Sequence, residues 1–556
     1  MVALEPMRSL HVAFPSLLAL VGLLSPSVAC NGAKPREGRD PVVELGVSAA
    51  ASSGSATAAS TSPDASASAP TADESSGAAS SARLASDSSV KAPNPKPDPS
   101  EDRIYAKARH VWILPAPQQS KGWLGYLTIG GSVRLYEGSA AKAKAIGPGC
   151  DAYYRVDPMG YVCAGEEATL DPNDPSYRAL LADAADVSSA YPYGYAESLG
   201  APRFEKVPTD AQQRKAEWDF DKHQEKLAEL RAATSAGDFS KVDKVYLGVD
   251  VTPAGTTQSD LFPFGGLVRE GRDYVAPGST VAFSRAFDEA GRTWLVTSDH
   301  AIVPKDRTRP YPKTSFAGIH LGSGVELPIA FARRHDAIVY QSTSDGVFEP
   351  TAEKLPRLGW VMLSAKSKAA SGTHYVETKQ GTWLDERDLA IADLSKEIPY
   401  RDSQKIEGRH TWVDISVLGG TLVAYEGATP VFATLVSPGR GGIPFPGHDP
   451  LSTASTPTGT FRVDGKFKTA TMVSSTDSSI VHSEVQFVQN FHGPHALHGA
   501  YWHDAWGELK SGGCVNLSPT DSKFMFEWTD PQIPRDWYGL RSVPELGAPT
   551  RVVVRR

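Results

Sequence analysis

The chain has 556 residues and a formal net charge of −8, from 56 basic and 64 acidic side chains. A chain of this length has room for about three or four domains, each with its own buried core. No cluster of Lys and Arg stands out, which argues against a nucleic-acid partner, and no apolar run of about 18 residues follows the N-terminal segment, which argues against an internal membrane span.

Residues 1–30 are typical of an export signal. Arg8 gives a positive start, and an apolar segment broken only by small residues and prolines follows it. The segment ends at Ser27-Val28-Ala29-Cys30, which resembles a lipoprotein cleavage site with Cys30 as the lipidated first residue, although Ser27 stands where that site usually has leucine. An ordinary cleaved signal and an uncleaved anchor are the alternatives. All three place the mature protein outside the cytoplasmic membrane.

Residues 31–100 consist mainly of Ala, Ser, Pro, Thr and Asp, with almost no aromatic or large aliphatic residue. Such a segment cannot bury enough apolar surface to offset the entropy lost on ordering. We therefore predict a disordered tether. Its reach, about 5–6 Å times the square root of its length, is enough to hold a folded domain away from a membrane surface.

Residues 101–205 contain short alternating apolar runs separated by Gly and Pro, which predict a small β-domain. Its segment from Gly122 to Tyr136 is similar to bacterial SH3-type barrels. Residues 206–240 carry a predicted connecting helix, which begins at the N-cap residue Thr209 and ends at Ala233. The polar composition of this helix indicates a connection rather than a core element.

Residues 241–405 return to β character. They are predicted either as two further SH3-like modules or as one irregular β-domain. Residues 406–556 form the last predicted domain, in which apolar residues alternate along a strand at Val413, Ile415 and Val417. Gly419-Gly420 fits a two-residue hairpin turn. The fold class predicted for the whole chain is mostly β.

A helix is predicted close to the C-terminus of the last domain. Ser518 is a suitable N-cap and Pro519 a suitable first residue, with Asp521 near the positive end of the helix. Its buried side is predicted to consist of Phe524, Met525 and Trp528.

The strongest chemical signal lies between His498 and Asn516. Cys514 follows two glycines, and an imidazole upstream can stabilise its thiolate as an ion pair. Gly512 and Gly513 let the chain turn tightly, so that the backbone N–H groups of Gly512, Gly513 and Cys514 can hold an oxyanion. Asn516 supplies an amide that can bind a substrate carboxylate or amide. The segment predicts a cysteine acyl-transfer site.

This segment resembles the catalytic domain of the L,D-transpeptidases of the YkuD type. The family motif is His-Gly, a gap, then Ser/Thr-His-Gly-Cys followed by an apolar residue and Asn or Arg; His498-Gly499 and Ser511–Asn516 occupy these places. Thr456–Phe461 and the hairpin Thr411–Tyr425 extend the resemblance to about residues 409–556. Gly512 departs from the motif, which has histidine there, and this puts rate or specificity in doubt.

The resemblance implies a β-sandwich-like domain in which Cys514 is the nucleophile and His498 the base. Tyr501 and Trp502 are predicted to line the substrate cleft together with Ser511, which could also hold His498 or the loop. His503 is a possible support. The crowded His492, His495, His498 and His503 could in principle bind zinc, but their spacing is unlike the usual two-histidine helix pattern, and we predict neither a metal nor a cofactor.

Four cysteines are present: Cys30, Cys150, Cys163 and Cys514. If Cys30 is lipidated and Cys514 is the nucleophile, Cys150 and Cys163 remain within one small domain. In an oxidising compartment they should pair, which in the chain-entropy model stabilises the fold by about 3 kcal/mol. Two buried free thiols are the alternative.

The resemblance implies peptidoglycan stem peptides as substrates and 3→3 cross-links as products, formed through a thioester on Cys514. With water as acceptor the same site would be an L,D-carboxypeptidase, and with a protein lysine it would attach a wall-anchored protein. A catalytically decayed, wall-binding lipoprotein is a further alternative. The expected location is the cell envelope on the periplasmic side, with an N-terminal lipid in a membrane.

Overall fold

The fold is described here from a computed structural model, which covers residues 101–119, 122–236, 273–396, 399, 409–473 and 480–556. The predicted export signal with Cys30 and the predicted tether lie outside these residues. Within the described ranges, no helix is both long and apolar enough to cross a membrane.

The first unit is a small β-domain, as the alternating pattern predicts. Its elements are β1 (Arg103–Ala106), β2 (Val111–Ile113), β3 (Gly125–Leu127), β4 (Ser132–Arg134), α1 (Ala140–Ala143), β5 (Lys144–Gly147), β6 (Cys150–Arg155), β7 (Tyr161–Ala164), β8 (Ala168–Thr169) and α2 (Pro175–Leu181). Two three-stranded sheets form, β4-β1-β8 and β5-β6-β7. The predicted Cys150–Cys163 disulfide is present and joins β6 to β7, with the two Cα atoms 5.9 Å apart.

The predicted connecting helix is two helices. They follow β9 (Gly194–Ser198) and β10 (Ala201–Pro202), and they are α3 (Asp210–Ala216) and α4 (Phe220–Ser235). Thr209 caps α3 as predicted, since its hydroxyl accepts from the Gln212 N–H while the Gln212 side chain accepts from the Thr209 N–H.

The break between these helices lies at Glu217, where the backbone leaves helical geometry. The buried Glu217 carboxylate accepts from Arg292 at 2.6 and 2.9 Å and from Arg307 at 2.6 Å. A continuous helix would carry this carboxylate away from the two guanidinium groups. Because leaving buried charges unpaired costs several kcal/mol, the ion pairs outweigh the continuation of the helix.

The predicted region 241–405 is divided between two sheets. Its elements are β11 (Tyr274–Val275), β12 (Thr280–Glu289), β13 (Arg292–Thr297), β14 (Ile302–Pro304), β15 (Thr308–Pro310), β16 (Ile319–His320), β17 (Ile329–Ala332), β18 (Ala337–Ser342), β19 (Phe348–Leu355), β20 (Trp360–Ala370), β21 (Thr373–Thr378), β22 (Trp383–Asp385) and β23 (Leu389–Ala392). Strands β17–β23 form their own seven-stranded sheet, but β12 and β15 pair with β9, which precedes the helices. The unit around β12 therefore contains strands from both sides of the helical segment, β9 before it and β12 and β15 after it. It does not follow the domain boundaries predicted at residues 206 and 240. That these units are SH3-like stays a prediction.

The C-terminal unit is a two-layered β-structure with one helix. Its elements are β24 (Thr411–Ser416), β25 (Thr421–Glu426), β26 (Thr429–Leu435), β27 (Gly459–Arg462), β28 (Gly465–Val473), β29 (Val481–His492), β30 (His495–Gly499), β31 (Val515–Leu517), α5 (Pro519–Trp528), β32 (Gly539–Arg541) and β33 (Arg551–Arg555). One layer is the six-stranded sheet β16-β26-β25-β24-β33-β27. Its inner face shares a core with residues of β30, β31 and α5, such as Leu497, Val515 and Met525.

Strand β24 is buried on both faces rather than on one. Val413 and Ile415 enter the core described above, while Trp412 packs with Phe316 and Phe331 of the preceding segment in a second core. The alternation therefore divides β24 between two cores. Helix α5 begins as predicted, because the Ser518 hydroxyl accepts from the Asp521 N–H at 3.1 Å.

The hairpin between β24 and β25 differs from its prediction. Ser416 pairs with Thr421, so the connection has the four residues 417–420 rather than two. Gly420 has a φ of 67°, and a Cβ atom there would lie 2.2 Å from the Gly507 carbonyl oxygen. Glycine is therefore needed at 420 for its conformation and for this close approach.

One large sheet joins three parts of the chain. Its order is β14-β13-β12-β29-β28-β32-β3-β2, and β30 and β31 extend from β29. Strand β12 meets β29 in parallel at Thr280 and His482, and β3 meets β32 at Gly125 and Leu540. The upstream units are therefore continuous with the C-terminal unit through backbone hydrogen bonds.

A group of ionised side chains lies where the three parts meet. Arg109 follows β1 and donates to the Glu484 carboxylate on β29, which also accepts from Thr469 on β28. Arg203 donates to Asp299, and Arg109 lies 3.9 Å from the same carboxylate. Although burial disfavours the charged form, Arg203 and Arg109 lower the pKa of Asp299 to about 2.

This junction predicts strong coupling between Arg109 and Glu484. Arg109→Met should destabilise the protein by about 3–5 kcal/mol, because it leaves the Glu484 carboxylate buried without this cation. Adding Glu484→Gln should recover about 1–3 kcal/mol of that loss, a coupling that denaturant unfolding of the two single variants and the double variant would measure. Arg309→Met, which breaks the more exposed pair with Glu197, is the control with a small effect. Additive effects of the two substitutions would contradict the prediction.

Candidate active site

The predicted nucleophile segment enters the sheet beside β30. Strand β31 pairs in parallel with β30, with Leu497 opposite Val515 and His498 opposite Asn516. On the other side of β31, Ser437 and Asn516 exchange backbone hydrogen bonds of 2.9 and 3.0 Å. Cys514 directly precedes β31 and lies two residues before Asn516, the residue opposite His498.

A threonine of the upstream motif holds the loop before β31. The Thr456 hydroxyl donates to the Gly513 carbonyl oxygen at 2.9 Å and accepts from the Gly439 N–H at 2.8 Å. Segments 437–440 and 511–516 are thereby fixed to each other. The resemblance in the Thr456–Phe461 segment thus has a structural role at the cysteine loop.

Ser511 braces the loop from within. Its hydroxyl accepts from the Gly513 N–H at 3.1 Å and donates to the Cys514 carbonyl oxygen. Ser511 is predicted to hold either His498 or the loop, and its hydroxyl bonds to the loop. Its contact with a substrate stays a prediction. The Gly513 N–H, one of the three predicted oxyanion donors, is engaged in this brace.

The Cys514 thiol is buried, with only 1% of the residue exposed. Its Sγ atom lies 3.8 Å from the Pro494 carbonyl oxygen, in the turn between β29 and β30. The side chain belongs to an apolar cluster that includes Met472, Val485 and Ala496. Such surroundings have a low dielectric constant, which strengthens any charge interaction made with the sulfur.

Asn516 joins two histidines. Its Nδ2 lies 3.1 Å from His498 Nε2, and its Oδ1 lies 3.2 Å from His503 Nε2. His503 Nδ1 accepts from the Ala505 N–H at 3.2 Å, and His498 Nδ1 lies 2.9 Å from the Gly499 carbonyl oxygen. Both ends of the Asn516 amide are therefore engaged by histidines in this structure, and the substrate contact of Asn516 and the support by His503 stay predictions.

The protons along this series of hydrogen bonds, from the Ala505 N–H to the Gly499 carbonyl, can be assigned. Since the Ala505 N–H requires an unprotonated Nδ1 on His503, Nε2 of that ring carries the proton and donates to Asn516. The amide of Asn516 then donates to His498 Nε2, and His498 Nδ1 donates to Gly499. His498 is thus held as the tautomer whose Nε2 is unprotonated, the form that can accept a proton.

Tyr501 is a core residue and not a wall of the cleft. It is 3% exposed, its ring stacks on Tyr195 with centroids 3.8 Å apart, and its hydroxyl oxygen lies 2.6 Å from Thr280 Oγ1 and 2.7 Å from the Ser483 carbonyl oxygen. Burial raises the pKa of Tyr501 well above its ordinary value. Its predicted role in substrate binding is therefore replaced by a role in joining β29 to the unit around β12.

The sequence interpretation missed His482. This residue is buried on β29, and its ring stacks on Trp502 with centroids 4.3 Å apart. The Trp502 ring lies 6.0 Å from the His498 ring. Neither ring nitrogen of His482 has a hydrogen-bond partner among the described residues. The motif does not indicate His482, because this residue lies on the preceding strand, outside the segment from His498 to Asn516.

Burial keeps two of these histidines neutral. It lowers the pKa of His482 to about 3, with His498 and His503 adding to the effect. Burial also lowers the pKa of His503 to about 4, although the hydrogen bond to Asn516 opposes the shift. His482 and His503 are therefore uncharged at neutral pH.

These shifts predict a stability that falls with acidification. Unfolded His482 takes up a proton near pH 6.5 and folded His482 only near pH 3, so unfolding takes up a proton between these values and stability falls as the pH drops. His482→Phe keeps the stacking on Trp502 and should remove on the order of 4 kcal/mol from this pH dependence. Denaturant unfolding of both proteins at several pH values would measure it. An unchanged slope in the variant would contradict the prediction.

The C-terminal part of the chain matches one family model. Residues 410–554 match the model of the L,D-transpeptidase catalytic domain, named YkuD. No curated protein matches the chain significantly.

Several solved structures are similar to part of the chain. They include the L,D-transpeptidase (Yku) of Stackebrandtia nassauensis, at 22% identity and a TM-score of 0.18, over 28% of this chain and 61% of that chain. A mutant of the Enterococcus faecium L,D-transpeptidase is 18% identical with a TM-score of 0.20, over 30% of this chain and 55% of that chain. The Mycobacterium smegmatis L,D-transpeptidase is 12% identical with a TM-score of 0.20, over 35% of this chain and 82% of that chain. The chain thus spans less than two thirds of the length of the Stackebrandtia nassauensis and Enterococcus faecium proteins. Residues 410–554 of this chain are an L,D-transpeptidase catalytic domain of the YkuD type.

Proposed function

We propose that this protein is a peptidoglycan L,D-transpeptidase that forms 3→3 cross-links through a thioester on Cys514. The observation that carries the proposal is the position of Cys514 directly before β31, whose partner strand β30 carries His498 opposite Asn516. The loop around it is held by Ser511 and Thr456, so that the sulfur and the backbone donors keep a fixed relation. Preorganisation of this kind supports acyl transfer.

The reaction begins when the Cys514 thiolate attacks the carbonyl carbon of the third residue of a stem tetrapeptide. The carbonyl oxygen becomes an oxyanion, which we assign to the backbone N–H groups of Gly512 and Cys514, since the Gly513 N–H is engaged with Ser511. The C–N bond to D-alanine then breaks. His498, which has taken up the thiol proton, donates it to the departing amine, and a thioester remains.

The second half of the reaction uses an amine of a neighbouring stem. His498 accepts a proton from this amine, while the Gly499 carbonyl and the Asn516–His503 hydrogen bonds position its ring. The amine attacks the thioester, and the sulfur leaves as thiolate. Burial of the site favours the amine over water, because bulk solvent is excluded from the sulfur.

The family acts on peptidoglycan stem peptides of the cell wall, and we therefore place this protein in the cell envelope. Lipidation at Cys30, on the periplasmic side of a membrane, is part of the proposal and rests on the cleavage-site pattern of residues 27–30. Globomycin treatment of producing cells, followed by mass analysis of the N-terminus, would distinguish lipidation from ordinary cleavage.

The first prediction for this function concerns the nucleophile. The full chain incubated with a stem tetrapeptide or a carbapenem should gain the mass of an acyl group, and Cys514→Ala should gain none, because it removes the attacking sulfur. Intact-protein mass spectrometry is the measurement. His492→Gln, a change at an exposed histidine of the same turn, is the control that should still be acylated. A wild-type protein that stays unmodified would support the decayed-site alternative and contradict the proposal.

The second prediction separates positioning from substrate binding at Asn516. Asn516→Ala removes the amide that holds His498, and by analogy with groups that orient metal ligands kcat should fall about 10–100-fold. KM should change little, since the amide of Asn516 is occupied by two histidines. Steady-state kinetics with a tetrapeptide donor and a stem amine would measure both constants. A raised KM with unchanged kcat would restore the substrate-binding interpretation.

A further inference from the structure

The unit built on β17–β23 packs against a loop of the catalytic domain. This loop, residues 503–508, lies between β30 and the cysteine segment. Trp506 is fully buried in a core that includes Phe331 of β17, and a Cβ atom on Gly507 would lie 3.1 Å from the Arg333 Cβ atom. The seven-stranded sheet precedes the residues that match the family model, and it therefore supports the catalytic domain from outside.

One side chain of this unit reaches the backbone of the loop. Arg357 lies in the turn between β19 and β20, where its own N–H donates to the Asp336 carboxylate at 2.8 Å. Its guanidinium donates to the Asp504 carbonyl oxygen at 2.6 Å and to the Asp504 carboxylate at 3.0 Å. The two side chains are 32% and 66% exposed, and ion pairs so exposed contribute little. The bond to the carbonyl oxygen is therefore the more important of the two.

The Asp504 carbonyl and the Ala505 N–H belong to one peptide group. In a trans peptide group these two point in opposite directions. Here the oxygen faces Arg357, and the N–H donates to His503 Nδ1 at 3.2 Å. A guanidinium only donates hydrogen bonds, so Arg357 stabilises the orientation in which the oxygen faces it. The same orientation presents the Ala505 N–H to His503.

A reversed peptide group would change each of the hydrogen bonds that follow. Its carbonyl oxygen would face His503 Nδ1, which would then need the proton, and Nε2 of the neutral ring could only accept. Asn516 would have to turn its Nδ2 towards His503 and its Oδ1 towards His498 Nε2. A neutral His498 would then carry its proton on Nε2 and lose the bond from Nδ1 to the Gly499 carbonyl.

The next peptide group of the loop is held from the catalytic domain itself. The Ser437 hydroxyl donates to the Ala505 carbonyl oxygen at 2.6 Å. This bond and the burial of Trp506 keep the loop in place when Arg357 is replaced. Arg357 therefore acts on the orientation of the peptide group between Asp504 and Ala505 rather than on the position of the loop.

We propose that Arg357 is a positioning residue for His498, which acts by fixing the orientation of the peptide group between Asp504 and Ala505. The hydrogen bonding of the candidate base thereby depends on a unit outside the catalytic domain. The inference rests on the proposed function for its effect on the rate. The tautomer of His503, in contrast, is measurable without any turnover.

The first test is the tautomer of His503, measured by NMR of the full chain with ¹⁵N-labelled histidine at neutral pH. His503→Gln identifies the resonances. The wild type should carry the proton on Nε2, and Arg357→Met should give a mixture of tautomers. Arg334→Met, which removes the same charge from a contact with Glu508 on the same loop, is the matched control and should leave the His503 signals unchanged.

Two outcomes of this measurement would overturn the proposal. One is a wild-type His503 that carries its proton on Nδ1, a result that requires no variant to fold. The other is a folded Arg357→Met protein with the wild-type tautomer, because the orientation of the peptide group would then not depend on the guanidinium.

The second test is steady-state kinetics with a stem tetrapeptide and a stem amine. By analogy with groups that orient metal ligands, Arg357→Met should lower kcat about tenfold and leave KM close to that of the wild type. Asp504→Asn removes the ion pair but keeps the carbonyl acceptor, so it should lower kcat less than Arg357→Met does. Equal losses in these two variants would assign the effect to the ion pair and overturn the proposal.

The kinetics also separate positioning from substrate binding and from the proposed function. Arg357 lines a cavity of about 530 Å³ together with His335 and Lys354. A raised KM with unchanged kcat in Arg357→Met would assign Arg357 to binding in this cavity and overturn the proposal. A wild-type chain that is not acylated, but whose His503 tautomer depends on Arg357, would contradict the proposed function and support the effect of Arg357 on the peptide group.

Discussion

Strand β29 is hydrogen-bonded along both edges, and this pairing fixes the interface with the upstream units relative to the candidate site. At its start the strand lies between β28 and β12, and towards its end it lies between β28 and β30. Buried backbone N–H and C=O groups must be paired, so neither end can shift without breaking the ladder of the other. Glu484, at the interface, and the turn that carries His495 are therefore fixed relative to each other.

Local strain in β29 has an identifiable compensation. Glu484 and Phe487 have left-handed φ values of 46° and 53°, which disfavour non-glycine residues by about 1–2 kcal/mol. At Glu484, Arg109, Thr469 and Thr471 all donate to the carboxylate. The charge-assisted bonds offset the strain, and they fix the point where β28, β29 and the first unit meet. At Glu484 the strained backbone thus coincides with three hydrogen bonds to the side-chain carboxylate.

The polar chain at the site depends on a single donor. The Ala505 N–H sets the tautomer of His503, which sets the orientation of Asn516, which in turn sets His498. Each member has one donor facing one acceptor, so reversing any one of them places two donors or two acceptors together. Such a conflict in a buried site costs about 1–3 kcal/mol per unsatisfied group. The position of the Ala505 N–H therefore determines the hydrogen bonding of His498.

Much of the fold could be predicted from local patterns, because those patterns depend on near neighbours. The cap at Ser518, the β character of all the upstream units and the pairing of Cys150 with Cys163 are of this kind. The motif also placed the L,D-transpeptidase domain in the part of the chain that matches the family model. Features set by distant contacts were missed: the helix break at Glu217 depends on Arg292 and Arg307, which are far along the chain.

The same distinction explains the errors at the site. Tyr501 and Asn516 are polar or aromatic residues next to a motif, which is typical of substrate contacts, yet in this structure they bond to Thr280 of β12 and to His503 of the loop before β31. His482 stacks on Trp502 from β29, a strand outside the segment from His498 to Asn516. Residue type and spacing identify the chemistry that a segment can perform, whereas cross-strand register decides which side chains meet.

The first unit packs against the catalytic domain as part of its core. Across the pairing of β3 with β32, a Cβ atom on Gly125 would lie 2.3 Å from the Trp537 ring, and one on Gly539 would lie 2.3 Å from the Tyr126 ring. Each glycine thus accommodates an aromatic ring contributed by the opposite strand, and the Trp537 indole donates to the Asp157 carbonyl oxygen at 3.1 Å. Tyr126 belongs to the same apolar cluster as Cys514. Without the upstream unit, β28 and β32 would expose this cluster to water, and the low dielectric constant around the buried Cys514 would be lost.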